Sequence, residues 1–288
     1  MRLVIIGAGG QLGQDLRLAL GQHDVVPLGH EQVEVGDAAQ VQRVIAAARP
    51  DVVINTAAYV QVDACEQEIA TSFAVNAAGA GHVARASAAC GATLVQVSTD
   101  YVYGGQAQRQ PLTEADPPAP LNVYGASKLA GEYAVQAIWP QHYIIRTCGL
   151  YGLAGARGKG GNFVQTMLRL AREDRPIRVV NDQRCTPTFT ADLAAAISRL
   201  LASAAPFGLY HITNAGQCTW YQFASHIFEL VGLAPDFAPT TSEAFGAPAR
   251  RPPYSVLAND RYDRAAGEAL PSWQDAQDRY LHAKGEIE

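Results

Sequence analysis

Tyr124 and Lys128 stand four residues apart in the stretch LNVYGASKLAGE (121–132). On a helix that spacing puts both side chains on one face. A phenol with an ordinary pKa of ~10 is a poor acid–base catalyst near neutral pH. An ammonium beside it favours the phenolate and lowers that value, which makes the pair a general acid–base device. The three donors of Lys128 can also hold a ribose hydroxyl. Read as plain structure, the two would be a surface pair on a helix.

A second cluster of hydroxyls stands in VSTDYVYGG (97–105). A strand that only filled a core would not need Ser98, Thr99, Asp100 and two tyrosines at its carboxyl end. Ligands of open α/β sheets bind beyond such ends. Thr99 is therefore placed to hydrogen-bond a carbonyl oxygen that Tyr124 protonates; otherwise it would only cap a turn.

The stretch GAGGQLG (7–13) follows an apolar run and opens a helical pattern. Gly7, Gly10 and Gly13 fit GxxGxxG, while Gly7 and Gly9 begin a GxG. Glycines at these points let the chain turn tightly, let backbone approach a diphosphate and let helix meet strand closely. The helix that follows offers free N–H groups and a positive dipole end to that diphosphate. A nucleotide site is expected here. At the end of the second strand, PLGHEQ (27–32) offers Gly29, His30 and Glu31, with no Arg or Lys between Arg17 and Arg43. Neither an acid for a ribose hydroxyl nor an arginine for its phosphate stands out, so NADH and NADPH both stay open. His30 reads as a surface residue rather than a phosphate ligand.

These groups need a frame. Short apolar runs at 2–7, 24–28, 51–55, 92–98 and 142–147 predict strands, with further ones at 177–181 and 208–213. Helical patterns run near 11–21, 38–49, 66–90, 121–138, 160–173, 190–203 and 219–232, while 104–120 and 234–254 read as loops. Alternating strands and helices predict an α/β fold, a Rossmann-like doubly wound parallel sheet with a smaller C-terminal substrate-binding lobe. Residues 1–150 would form the NAD(P)-binding domain and 151–288 mainly the substrate lobe. That boundary is soft, because segments can cross between lobes.

The 288 residues, 48% of them hydrophobic, suffice for such a core, and a net charge of −5 with no basic stripe argues against a nucleic-acid partner. Five widely spaced cysteines without a CxxC pair argue against disulfides or a thiolate zinc site. No metal-ligand spacing demands Mg²⁺, although it stays possible. MRLVII runs straight into the glycine turn, and no apolar run reaches the ~20 residues of a membrane helix. A cytoplasmic protein without a membrane partner is expected, as monomer or homodimer.

With GxxGxxG, Thr99 and YxxxK together, the chain resembles the extended short-chain dehydrogenase/reductases. Among them it resembles the dTDP-4-dehydrorhamnose reductases over nearly its whole length. The matching blocks are NTAAYVQVDACE (55–66), STDYVYGG (98–105), PLNVYGASKLAGE (120–132), GGNFVQTMLRLA (160–171), VVNDQRCTPT (179–188) and RRPPYSVLAND (250–260). The resemblance implies that NADPH or NADH reduces the 4-keto group of a nucleotide sugar, the last step in making dTDP-L-rhamnose. Tyr124 would donate the proton, with Lys128 assisting and Thr99 orienting the carbonyl. It also places Gly10, Gln11 and Leu12 along the diphosphate, and Asp37 and Ala38 near the adenine. Ala57, Ala58 and Tyr59 would follow the rest of the cofactor, and Asp100 would lie beside the sugar. Asp63 and Trp220 fit either a site or a structural role.

Two positions depart from the family pattern. RTCGLYG (146–152) has Gly149 where a tryptophan usually lines the sugar pocket, and Val60 replaces a threonine near the cofactor. Trp220 or Tyr151 could refill the space at Gly149. Other nucleotide 4-keto-hexose reductases and 4-epimerases share the Tyr–Lys pair. A 4,6-dehydratase would show Thr-Asp-Glu where this chain has Thr99-Asp100-Tyr101. A non-enzymatic alternative is a regulatory subunit like the methionine adenosyltransferase β subunit.

Overall fold

The computed structural model describes residues 1–107, 109–155 and 161–288. Residue 160 of the expected helix over 160–173 and residue 108 of the expected loop over 104–120 lie outside them.

Six parallel strands form the central sheet: β1 (Arg2–Ile6), β2 (Asp24–Leu28), β3 (Val52–Asn55), β4 (Thr93–Thr99), β5 (His142–Thr147) and β6 (Gly208–His211). Their order across the sheet is β2-β1-β3-β4-β5-β6. Successive residues of β1 face opposite sides, so Leu3 and Ile5 pack with Leu12, Leu16 and Ile197 on one face. Val4 and Ile6 pack with Val41, Ile45 and Val83 on the other. Both faces are therefore dry, which explains why these strands read as unbroken apolar runs. Pro27 is accommodated because β2 is an edge strand.

The chain leaves β1 for β2 on one side and leaves the neighbouring β3 for β4 on the other. That reversal opens a crevice beyond the carboxyl ends of the strands. Helix Val123–Ile138 reaches this crevice, its first turn capped by Asn122, whose Oδ1 accepts from the Gly125 N–H at 2.8 Å. A β-carbon on Gly125 would sit 2.1 Å from the Tyr101 carbonyl oxygen. Glycine there lets the helix lie directly on the turn that ends β4, which brings Tyr124 to Thr99.

The second half of the chain crosses back. Helix Thr190–Ala202 packs against helix Gln11–Ala19, and β6 extends the main sheet beside β5. The remaining segments gather around aromatic residues, among them Tyr151, Phe189, Phe223, Trp273 and Tyr280.

Two expectations are corrected. The segment 234–254, read as loop, contains strand Phe237–Thr240 and helix Ser242–Phe245. The strand pairs with Ile177–Val180 alone, and Phe237 stacks on Tyr221 with ring centroids 4.5 Å apart. A half-buried edge with a proline shows no alternating pattern. The helix expected over 66–90 is interrupted: helices Val62–Cys65, Ile69–Phe73 and Gly79–Cys90 flank a π-helical turn at Ala74–Ala78. Helices Asp260–Ala266 and Trp273–Lys284 lie beyond the elements read from the sequence.

Candidate active site

A groove of about 490 Å³ runs over the carboxyl ends of β1 and β3. Gly7, Gly10, Gln11, Leu12 and Gly13 form one wall, and Ala57, Ala58 and Tyr59 another. Helix Gln11–Ala19 opens here without a side-chain cap on Gly10. Its first N–H groups and positive dipole end are thus available to an anionic group. This fits the diphosphate of a dinucleotide. The far end carries Gly29, His30, Val33, Glu34 and Val35, with the His30 ring 3.3 Å from Glu34. Asp37 and Ala38 are not among the groove-lining residues; the Asp37 carboxylate instead caps helix Ala38–Ala48 by accepting from Ala39 and Gln40.

A second recess of about 290 Å³ adjoins the groove and holds Thr99, Asp100, Gly149 and Trp220. Tyr124, Gln11, Val60, Ser98 and Leu150 line both spaces. Tyr124 therefore stands at their junction. Gln11 ties the two sides together, accepting from the Gly152 N–H at 2.9 Å and the Asn162 amide at 3.2 Å.

Burial pushes the Tyr124 phenol above its ordinary value, and its hydrogen bond with Thr99 opposes the rise. Tyr101 packs edge-on against it at 5.8 Å. Lys128 lines the same groove, as an i,i+4 pair requires, but its ammonium donates to the Val97 carbonyl at 2.7 Å. It is only 4% exposed, and burial lowers its pKa to about 8 while Glu132 opposes that shift. The expected lowering of the phenol by Lys128 is thus not what governs Tyr124; Thr99 is its favourable partner.

Asp100 is buried beside Thr99. Its carboxylate accepts from Ser255 at 2.5 Å and from Thr99 at 3.2 Å. Burial raises its pKa to about 6, against the hydrogen bonds from Ser255, Cys148 and Thr99.

Trp220 begins helix Trp220–Val231, held by a capping box between Thr219 and Gln222 and by the Phe163 ring at 4.8 Å. Tyr151 is buried in the aromatic core against Phe189, Phe223 and Tyr280, away from the recess. Of the two candidates for refilling the space at Gly149, the structure brings only Trp220 to it.

Several supporting residues escape a reading of the sequence. The π-helical turn carries Asn76, which accepts from the Tyr59 N–H at 2.8 Å and donates to Ser127 at 3.0 Å. It thereby joins the groove wall to the helix of Tyr124, a common use of such turns at functional sites. Beneath Lys128, Ser98 donates to Glu132 at 2.5 Å, and Arg146 grips the same carboxylate at 2.6 Å. Arg146 also donates to the Tyr103 hydroxyl at 2.5 Å, and His211, neighbour to that hydroxyl, is lowered to about 3 by burial and by Arg146. Asp63 accepts both Arg251 amino groups, at 3.0 and 2.8 Å, and also the Ala249 N–H. Its carboxylate thus holds Arg251, whose guanidinium also interacts with Tyr101. Ser98 and Asp63 stand out in the sequence without these partners; of the others only Asn76 has a local sign, a polar residue within an otherwise small and apolar helical run.

Among the described residues no group of three or more His, Cys, Asp or Glu could hold a metal ion, and no helix is long and apolar enough to cross a membrane.

Comparison with known proteins matches the RmlD substrate binding domain model to residues 1–285. The spore coat polysaccharide biosynthesis protein SpsK of Bacillus subtilis is 39% identical, with 98% of each chain covered. A dTDP-4-dehydrorhamnose reductase of Streptomyces griseus is 43% identical over 96% of this chain and 91% of its own. The crystal structure of the Bacillus anthracis dTDP-4-dehydrorhamnose reductase in complex with NADP is 39% identical, covering 98% of this chain and 99% of that one with a TM-score of 0.91.

Proposed function

We propose that this chain, which belongs to the RmlD substrate binding domain family, reduces the 4-keto group of dTDP-4-dehydro-L-rhamnose to give dTDP-L-rhamnose. It is an NAD(P)H-dependent oxidoreductase of dTDP-rhamnose biosynthesis. The observation that carries the reading is the place of Tyr124, where a groove suited to a dinucleotide meets a polar recess of sugar size.

When bound, the nicotinamide supplies a hydride to the sugar carbonyl carbon. Gly10, Gln11 and Leu12 hold its diphosphate at the helix start, and Ala57, Ala58 and Tyr59 follow the remainder. Lys128 holds a ribose hydroxyl. Thr99 fixes the carbonyl oxygen by a hydrogen bond, and Tyr124 gives that oxygen its proton. Asp100 and Trp220 orient the sugar ring, and Gly149 leaves room for the indole. Placement of this kind turns bound reactants into a near-attack pair, a large share of the rate.

The nucleotide lobe in this reading consists of residues 1–150 together with 190–211, and the other segments after 150 cover the sugar. All five cysteines are free, which suits a reducing cytoplasm.

The test is NAD(P)H oxidation by the purified chain with dTDP-4-dehydro-L-rhamnose, with dTDP-L-rhamnose identified as product. Oxidation should depend on both substrates. Retained NAD and interconversion of two sugars without net oxidation would point instead to an epimerase. No turnover of any keto sugar would leave a binding subunit.

A further inference from the structure

Tyr124 and Thr99 act on one atom of the sugar, the carbonyl oxygen, and the recess must also fix the ring around it. Among the described residues, four buried side-chain polar atoms have no hydrogen-bond partner: the hydroxyl oxygens of Thr147, Tyr151 and Tyr254 and one carboxylate oxygen of Asp263. Of these four residues only Thr147, itself 3% exposed, lines the sugar recess. Leaving a buried hydroxyl unpaired is costly and native proteins hold few of them, so each calls for a physical reason.

The sheet says where this hydroxyl stands. Thr147 ends β5 as Thr99 ends β4, and the two are partners in the parallel register. Side chains alternate along a strand, and Val97 and Ile145, two positions earlier, pack in one core cluster. Thr99 and Thr147 therefore continue that face beyond the core, side by side and one strand spacing apart. Arg146 turns to the other face, where it grips Glu132. The cofactor groove lies over β1 and β3, whereas β5 is on the far side of β4, and Thr147 does not line the groove. It thus flanks the carbonyl site on the side away from the cofactor.

We propose that Thr147 is a specificity residue whose hydroxyl binds the hydroxyl on C3 of the sugar. The inference rests on the reductase reading above, in which the carbonyl held by Thr99 and Tyr124 is C4. Of the two carbons beside C4, C5 carries the ring oxygen and a methyl group, and only C3 carries a hydroxyl. A threonine hydroxyl both donates and accepts, so it pairs with that group in either sense. The contact fixes the ring next to the reacting carbon and sets a preference for sugars hydroxylated at C3. A sugar lacking that hydroxyl is rejected because Thr147 then stays buried and unpaired.

The test uses the full chain with NADPH and two substrates, dTDP-4-dehydro-L-rhamnose and its 3-deoxy analogue. The unmodified chain should prefer the first by about tenfold in kcat/KM, the upper range for one uncharged hydrogen bond. Thr147→Val keeps the shape and removes the hydroxyl. It should lower kcat/KM for the 3-hydroxy sugar about tenfold and leave the value for the 3-deoxy sugar within about twofold, so that the preference disappears. Coupling between the two deletions is a readout that a merely structural role would not give. NADPH affinity should be unchanged, and Tm should hold or rise, since a methyl group replaces an unpaired hydroxyl. An equal fall with both sugars, no fall with either, or weaker NADPH binding overturns the proposal. A lower Tm, or a valine variant that does not fold, would give the hydroxyl a partner inside the protein and overturns it too. Thr147→Ser keeps the hydroxyl and should keep the preference between the two sugars; a serine variant without it counts against the contact. Failure of the reductase reading is distinguishable, because the unmodified chain would then oxidise no NADPH with either sugar.

Discussion

The edge of the Trp220 indole, at Cη2, lies 3.0 Å from the point where a β-carbon on Gly149 would sit. The Pro187 Cα closes the other side of that point at 3.2 Å. The indole thus takes the space that a side chain at position 149 would claim, and forms a wall of the recess with Phe163. Removing an aromatic wall exposes a large apolar area and loosens the sugar ring. Trp220→Ala should lower kcat/KM for the nucleotide sugar about tenfold or more, a loss of ~1.4 kcal/mol, with NAD(P)H affinity unchanged. A silent variant that turns over several 4-keto sugars at similar rates would mean relaxed specificity instead.

The converse substitution tests the backbone. Gly149 has φ of 54°, in the left-handed region that costs a residue with a β-carbon ~1–2 kcal/mol. Gly149→Ala should lower the unfolding free energy by about that amount and also displace the indole, so that Tm and kcat/KM fall together. An unchanged Tm would show that the loop relaxes freely around position 149.

Tyr124→Phe removes the proton donor and keeps the ring that packs edge-on against Tyr101. Turnover should fall by ~100-fold or more, while the dissociation constant for NAD(P)H stays near the parent value. Near-normal kcat in this variant would take Tyr124 out of the chemistry.

Much of the frame was legible because its signals are local. The runs in β1, β3 and β5 are apolar on both faces, and Tyr124 with Lys128 needs only the pitch of a helix to share a groove. What stayed hidden depends on distant pairing. Ser255 reaches Asp100 across 155 positions, and Arg251 reaches Asp63 across 188. No composition or periodicity reports such contacts. The strand Phe237–Thr240 escaped because it is edge-like and carries Pro239, and the π-helical turn because its extra residue shifts the helical phase only once. The electrostatic expectation for Lys128 failed for a related reason. Spacing sets which face a side chain shares, but burial and the Val97 carbonyl decide what its charge does.

That burial gives Lys128 a pH signature. A lysine lowered to about 8 is charged below that pH and neutral above it. Its charge and its ribose contact should weaken as pH rises from 7 to 9, so the NAD(P)H dissociation constant should increase over that interval. Lys128→Ala should bind more weakly throughout and lose this pH dependence. The same depression disfavours folding below pH 8, and that cost should disappear as pH climbs from about 8 toward the ordinary lysine value. Fluorescence titration of NADPH from pH 6.5 to 9.5, in about half-unit steps, reads the first effect. A flat curve for the parent chain would remove Lys128 from the cofactor contact.

The choice between NADH and NADPH is decided at the far end of the groove. There the side chains with charge or potential charge are His30 and Glu34, which face each other at 3.3 Å. Glu34 does not favour an added phosphate, and no Arg or Lys lines this end to attract one. The acid is also occupied, since its Oε1 accepts the Gly36 N–H at 3.0 Å, which weakens it as a partner for a ribose hydroxyl. One good charge-assisted contact is worth ~1.5–3 kcal/mol, roughly ten- to hundredfold in discrimination, and neither cofactor gains one outright. The kcat/KM values for NADH and NADPH should therefore differ by less than about a hundredfold. Glu34→Gln should shift the ratio toward NADPH, because it removes the carboxylate that lines this end. A larger intrinsic preference, or a ratio indifferent to Glu34→Gln, would place the determinant outside the residues that line this end.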